Sequence, residues 1–225
     1  MKIITLATSS KGNSYILQAD NGKFCILDCG IKFEDITSSK CFSSFSKLDF
    51  VFISHEHLDH SKSLTEFEKS GCDTISYKNI GDQKRIEIND WIICPFKVKH
   101  NVLNYGAIIY NKTENKKIVY ATDFIEMPKI QNVDYWLYEV NYDEFTVDKI
   151  IDSQDISKIH VANNIQYHNS LENAVEYFKS LNNRPKLIIA CHTSEMGGTK
   201  KLIKQKLSKL CDKVEIATKN QVVEF

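Results

Sequence analysis

The stretch Ser54-His55-Glu56-His57-Leu58-Asp59-His60 puts three imidazoles and the Asp59 carboxylate within six residues. Four apolar residues, Phe50 to Ile53, run straight into it and read as a buried strand. In an extended chain His55 and His57 point to the same side, and Asp59 and His60 then fall beyond the turn. That arrangement suggests two groups of metal ligands, and so two metals. Neutral imidazoles and carboxylates suit divalent cations, zinc first and manganese second. Such a pair deprotonates a water near neutral pH and clamps the oxygens of a phosphodiester.

The elements that must position these groups follow one pattern, in which a polar residue comes just after an apolar run. Asp28, His55, His100, Asp123, Asn141 and His192 all sit this way. If the strand ends converge on one edge, the six meet in space. Strands are predicted over Ile3–Leu6, Tyr15–Gln18, Phe24–Leu27, Phe50–Ile53, Cys72–Tyr77, Arg85–Ile88, Trp91–Val98, Ala107–Tyr110, Lys117–Tyr120, Val133–Asn141 and Leu187–Ala190. Asn21-Gly22 marks a hairpin turn. Ser170 caps a helix whose apolar face is Leu171, Ala174, Val175, Phe178 and Leu181. Thr199 caps a last helix with a lysine-rich outer face, and Val214–Ala217 with Val222–Phe225 read as a closing hairpin. A short helix ends at Gly71. With no long linker or repeat, residues 1–225 read as one domain. Strands and helices in both halves suggest two packed sheets with helices outside.

The spacing His55-x-His57-x-Asp59-His60 resembles the signature of the metallo-β-lactamase-fold hydrolases. It differs from the helical His-Glu-x-x-His of zinc proteases. The resemblance implies an α/β (α+β) fold, the αβ/βα sandwich of two mixed sheets with the site along one edge. It implies that His55, His57 and His100 hold a first metal, that Asp59, His60 and His192 hold a second, and that Asp123 bridges them. A metal-bridging hydroxide then attacks phosphorus. His168-Asn169-Ser170-Leu171-Glu172-Asn173-Ala174 resembles a segment of the nucleic-acid-processing members, where the histidine lies near the scissile phosphate as a proton donor. Glu139 and Asn141 resemble the Glu-x-Asn of the same branch. This assigns Glu139 to orienting His168, Asn141 to a water or phosphate, and a catalytic part to Asp59. Thr8-Ser9-Ser10-Lys11-Gly12-Asn13 resembles the glycine loop of the small YycJ-type branch, with Ser10, Gly12 and Asn13 offered to a phosphate. That branch is thought of as DNA 5′-to-3′ exonucleases. Departures from these patterns are Ser9 for a glycine, Tyr142 for a histidine and Thr193 for a leucine.

Composition narrows the class without choosing the substrate. Lys plus Arg and Asp plus Glu number 29 each, so a polyanion must be held by a local patch or by metal. Candidates for such a patch are Lys97, Lys99, Tyr105 and the lysines of the last helix, which also read as a solvated face. Seven cysteines without a Cys-x-x-Cys pair read as reduced thiols in a cytoplasmic protein. No stretch has transmembrane length, which excludes a membrane partner. The expected partner is nucleic acid, DNA ahead of RNA, or a small phosphodiester such as a cyclic nucleotide, acted on by a monomer or homodimer. Thioester or ester hydrolysis and a non-catalytic metal-binding subunit are the alternatives. His160 matches no motif and reads as a structural histidine.

Overall fold

Among the described residues, alternating apolar runs and turn residues build thirteen strands in two sheets, which enclose a common core. The computed structural model describes residues 1–153, 167–195 and 199–225; His160 lies outside them. The first sheet has the order β13-β1-β2-β3-β4-β5, with β1 Lys2–Ser9, β2 Gly12–Gln18, β3 Phe24–Cys29, β4 Leu48–Ile53, β5 Thr74–Ser76 and β13 Val222–Glu224. The second has the order β12-β11-β10-β9-β8-β7-β6, with β6 Ile86–Ile88, β7 Trp91–Val98, β8 Asn104–Asn111, β9 Lys116–Ala121, β10 Tyr135–Glu139, β11 Leu187–Cys191 and β12 Lys213–Ile216.

The core between the sheets is filled from both. Tyr15, Leu27, Phe50 and Phe52 come from one side, and Trp91, Ile109, Tyr120 and Ile189 from the other. Trp91 also donates its indole N–H to buried Asp49 across the interface, at 2.8 Å. Each sheet carries helices on its outer face. The helices α1 (Phe33–Thr37), α2 (Leu58–Ser61) and α3 (Leu64–Lys69) flank the first, where Ile36, Leu64 and Phe67 join its outer core. The helices α4 (Glu144–Asp152), α5 (Leu171–Lys179) and α6 (Lys200–Leu207) follow the strands of the second. The predicted face of α5 packs there as expected, through Leu171, Ala174 and Phe178, with Ser170 Oγ accepting from Asn173 N.

Two sequence expectations fail. The closing segments form no hairpin, because β12 pairs parallel with β11 in one sheet and β13 antiparallel with β1 in the other. The chain crosses between sheets at 217–221, and the Asn220 turn serves that crossing through Asn220 N and Thr5 O at 2.8 Å. Thr199 stands at the N-cap of α6 but its hydroxyl caps nothing; it meets Thr146 Oγ1, and its N–H donates to Asp143. The helix α4, capped by Asp143 Oδ1 on Thr146 N, has no counterpart among the predicted elements.

Within each sheet the site-bearing strands run alike. The strands β3, β4 and β5 are parallel, as are β9, β10, β11 and β12, and the antiparallel β7-β8-β9 meander turns β7 the same way as β9. Carboxyl ends of parallel strands share one edge, where open α/β sheets place their ligands.

Candidate metal centre

The polar residues that follow these strands do meet. His55, His57, His100 and Asp123 bring four donor atoms within 4.8 Å of one another; so do Asp59, His60, Asp123 and His192. Asp123 belongs to both sets and also to a third, with Glu139, His168 and His192. Three residues at these strand ends hold left-handed backbone: Asp28 (φ 56°), Asp123 (φ 52°) and His192 (φ 50°). Non-glycine residues are uncommon there. The conformation turns the chain sharply off the strand at the point where its side chain enters the site.

The imidazoles are oriented in a common way. His60 Nδ1 donates to Asp28 Oδ2 at 2.5 Å, and His100 Nδ1 donates to the Tyr167 carbonyl at 3.1 Å. His192 Nδ1 lies 2.8 Å from Glu139 Oε1 and 2.9 Å from Asp123 Oδ1. Ser54 Oγ spends its proton on Asp28 Oδ2 (2.9 Å), so it accepts from His55 Nδ1 (3.0 Å). Four histidines thus give their Nδ1 proton to the protein, which frees Nε2 as a lone-pair donor. Two of those Nε2 atoms, on His100 and His192, are buried without a hydrogen-bond partner among the described residues. His55 Nε2 and His57 Nδ1 face each other at 3.0 Å.

Charge tells the same story. Asp28, Asp59, Asp123 and Glu139 crowd this edge, and the first, third and fourth are buried. Four carboxylates match the charge of two divalent cations. Burial alone would lower His60, yet Asp123 and Asp28 raise it well above the usual histidine range. Burial likewise opposes protonation of His192, and Asp123 overrides it. Burial dominates at His55 and His100 and lowers both. Asp123 is held well below the carboxylate range by His192 and His60 in spite of its burial. Unpartnered ring nitrogens, oriented imidazoles and clustered carboxylates together fit divalent cations.

No family model matches the sequence, and no curated protein matches it. Solved structures do. Over 100% of this chain, YhfI from Bacillus subtilis, described as a metallo-β-lactamase-fold protein, superposes with a TM-score of 0.71 at 16% identity, covering 99% of that chain. Human tRNase Z, short form, gives 0.63 at 13% identity, also over 100% and 99%. The chain has the metallo-β-lactamase fold. Yeast PDE1 shares it, with a TM-score of 0.66 at 11% identity over 100% of this chain and 99% of that one.

Within this fold the structure sorts the remaining sequence-predicted residues. His168 Nδ1 lies 2.8 Å from Glu139 Oε1, and its ring centroid is 5.1 Å from that of His192. Burial would lower His168, but the Glu139 carboxylate raises it. Glu139 reaches further than its expected partner: its Oε2 also accepts from Phe124 N and Asn169 N, both at 3.1 Å. Asn141 is assigned to a water or phosphate by the Glu-x-Asn resemblance. It is buried, and its amide donates to the His192 carbonyl at 2.7 Å, so it braces the turn that carries His192.

The glycine loop divides in the same way. Ser10 is exposed at the tip. Gly12 is buried in β2, where a Cβ would lie 2.8 Å from the Gly30 carbonyl oxygen. Asn13 is fully buried and turned inward, with Nδ2 3.0 Å from His60 Nε2 and 3.5 Å from Asp59 Oδ2. It therefore belongs to the Asp59/His60/His192 group and not to the outer face of the loop. Of the expected nucleic-acid contacts, Tyr105 is buried with its hydroxyl on the Gly81 carbonyl, and Lys99 pairs with Glu126 at 2.8 Å. Neither offers a free stacking or phosphate surface.

Sequence reasoning gave too little to Asp28 and Gly30. Asp28 accepts from Ser54 N, Ser54 Oγ, His60 Nδ1 and Tyr120 Oη. Through Ser54 and His60 it sets one tautomer in each donor group. A Cβ on Gly30 would overlap the Asp59 carbonyl and lie 2.7 Å from His60 N. The pattern Asp28-Cys29-Gly30 after an apolar run was the available signal.

Proposed function

We propose that this chain is a metal-dependent phosphodiesterase of the nuclease type, acting on DNA ahead of RNA in the manner of a 5′-to-3′ exonuclease. The observation that carries it is the sharing of Asp123 among two cation-sized donor sets and the Glu139–His168–His192 group. His55, His57 and His100 would hold one cation, Asp59, His60 and His192 another, with Asp123 between them. When bound, divalent cations supply Lewis acidity to a phosphodiester and acidify a water at neutral pH. The imidazole-rich first set favours zinc, and the carboxylates also admit manganese.

The chain's own residues do the rest. Asp28 and Ser54 fix the tautomers of His60 and His55, Tyr167 fixes His100, and Glu139 fixes His192. Glu139 also holds the Nδ1 proton of His168, which leaves His168 Nε2 to protonate a leaving oxygen. Two neighbours of this fold, tRNase Z and PDE1, bear names of phosphodiester-cleaving enzymes. Free cysteines and the absence of a membrane-length apolar helix among the described residues accord with a cytoplasmic place of work.

The test is elemental analysis of protein purified without added metal or chelator. The same sample is then assayed on bis-p-nitrophenyl phosphate and on end-labelled single- and double-stranded DNA and RNA. About two zinc or manganese per chain with end-dependent nucleotide release is the expected result. Turnover of small diesters alone would replace the polymer by a cyclic or other small substrate. A chain that takes up no metal on reconstitution would end the proposal.

A further inference from the structure

A cleft of about 580 Å³ opens beside His192 and is used by none of the groups above. Three of its lining residues are lysines: Lys11 on the β1–β2 turn, Lys200 at the start of α6 and Lys219 on the crossing to β13. They come from three separate parts of the chain, and one carboxylate, Glu195, shares the rim. All three are exposed, and among the described residues none has an ion-pair partner within 4 Å. Other surface lysines do pair, as Lys186 does with Asp134 and Lys204 with Glu215. Between the lysines the lining carries hydroxyls, from Thr8, Ser9 and Thr218.

The cleft is joined to the metal centre through its wall. Thr8 Oγ1 accepts from His192 N at 2.9 Å and from Tyr15 Oη at 2.8 Å, so the wall is the same turn that aims His192. Lining residue Gly12 precedes Asn13, whose amide faces His60. The cleft therefore shares a wall with the turn that carries His192. In a chain of zero net charge, three unpaired ammonium groups in a recess make a local positive potential that the global balance does not provide.

Resting on the phosphodiesterase reading, we infer that this cleft holds a backbone phosphate of a single-stranded nucleic acid, adjacent along the strand to the phosphate at the metal centre. Lysines serve as point charges for phosphate without reading sequence, and hydroxyls complete such contacts. The recess would then favour a polymer over a small diester, which has no second phosphate to place there.

The experiment is fluorescence anisotropy of a labelled single-stranded DNA oligonucleotide in chelator, where nothing is cleaved, as a function of salt. It compares the wild type with a triple variant Lys11→Gln, Lys200→Gln, Lys219→Gln. A control variant of equal charge change carries Lys84→Gln, Lys117→Gln and Lys129→Gln, all exposed and outside the cleft. Each single-strand phosphate neutralised contributes about 0.7 to the logarithmic salt slope, and the cleft holds one. Between 50 and 200 mM salt that amounts to roughly a threefold change in affinity. The expected result is that the cleft variant loses about this much of the salt dependence, binds the oligonucleotide several-fold more weakly at low salt and keeps its metal content and melting temperature. The control variant should keep the wild-type slope. Equal losses in the two variants, or no loss in either, would overturn the cleft assignment while leaving the metal-centre reading intact. Selective loss in the cleft variant of a protein that takes up no metal would support the cleft and overturn the phosphodiesterase reading.

Discussion

Replacing Asp28 by Asn is the sharpest probe of how this site is held. The carboxylate is fully buried and accepts four hydrogen bonds, from Ser54 N (2.8 Å), Ser54 Oγ (2.9 Å), His60 Nδ1 (2.5 Å) and Tyr120 Oη (2.5 Å). Oδ1 takes the first and Oδ2 the other three. An asparagine has one acceptor and one donor in their place. With its NH₂ at the Oδ1 position it meets the Ser54 N–H, a buried donor–donor contact costing about 1–3 kcal/mol. With its NH₂ at the Oδ2 position the two hydroxyls can reverse, but His60 must accept at Nδ1 and move its proton to Nε2. Reversal of Ser54 Oγ also turns a proton toward His55 Nδ1, which pushes the His55 proton onto its Nε2. In the second orientation the lone pairs offered to the cations are lost, one in each donor group; in the first, the donor–donor contact displaces Ser54 and misaims His55. Outer hydrogen-bond partners of metal-binding histidines are worth about 10–100-fold in metal affinity, or about 1.4–2.8 kcal/mol. Competition with a chromophoric zinc chelator should therefore show both binding steps weakened in Asp28→Asn. Two steps of wild-type affinity would refute the argument that one carboxylate sets both tautomers.

Other outcomes follow from the same geometry. Gly30→Ala should force the Asp59–His60 backbone away from β3, at a cost of about 1–3 kcal/mol in urea unfolding, and should reduce bound metal; wild-type stability would mean that the loop yields freely. His168→Ala should retain its metal and lose about 10²–10⁴-fold in turnover, whereas Asp59→Ala should lose metal; full turnover in His168→Ala would remove the proton-donor role. Adding zinc to chelated protein at 100 times the dissociation constant should stabilise it by about 2.7 kcal/mol per site, or about 5–11 °C in melting temperature, read by scanning calorimetry. Asp143→Ala should cost about 0.5–2 kcal/mol through the lost cap of α4. Burial opposes ionisation of Asp143, but its bonds to Thr146 and Thr199 hold it below the usual range, so the wild-type advantage is full above about pH 4 and declines as pH falls through the lowered value.

Much of the site was legible because its residues announce themselves by type and by place. Imidazoles are scarce, and those at 55, 100 and 192 follow apolar runs, so the sequence itself marks where strands end. The resemblance points Asn13 and Asn141 toward substrate, because an amide on a polar loop gives no sign of which way it faces. Their direction is decided by burial, which brings Asn13 onto His60 and Asn141 onto the His192 carbonyl. The closing hairpin failed for a related reason. Two short apolar runs separated by Lys219-Asn220 satisfy the local signal for a turn, but whether they pair is set by the free edges of two different sheets. Lys200 reads as part of a solvated helix face, and Lys11 and Lys219 give no signal, for want of the crossing that brings residues 11, 200 and 219 together.

The left-handed residues explain why the strand ends, and not the strands, carry the chemistry. A side chain on a strand points into the core or onto a helix, and both are apolar here. To bring a carboxylate or imidazole to the edge between the sheets, the chain must break its extended path within one residue. Asp28, Asp123 and His192 do so at positive φ, a conformation that costs a non-glycine residue on the order of 1–3 kcal/mol. Each is then fixed by bonds it could not make from a strand: Asp28 by Ser54 and Tyr120, Asp123 by Thr122 Oγ1 at 2.8 Å, and His192 by Thr8 through its N–H and by Asn141 through its carbonyl. The strain at these three positions and the crowding of carboxylates beside them have a common outlet. Cations bound to the converging donors would favour the same strained backbone, which is why metal affinity, melting temperature and the Asp28 network should rise and fall together.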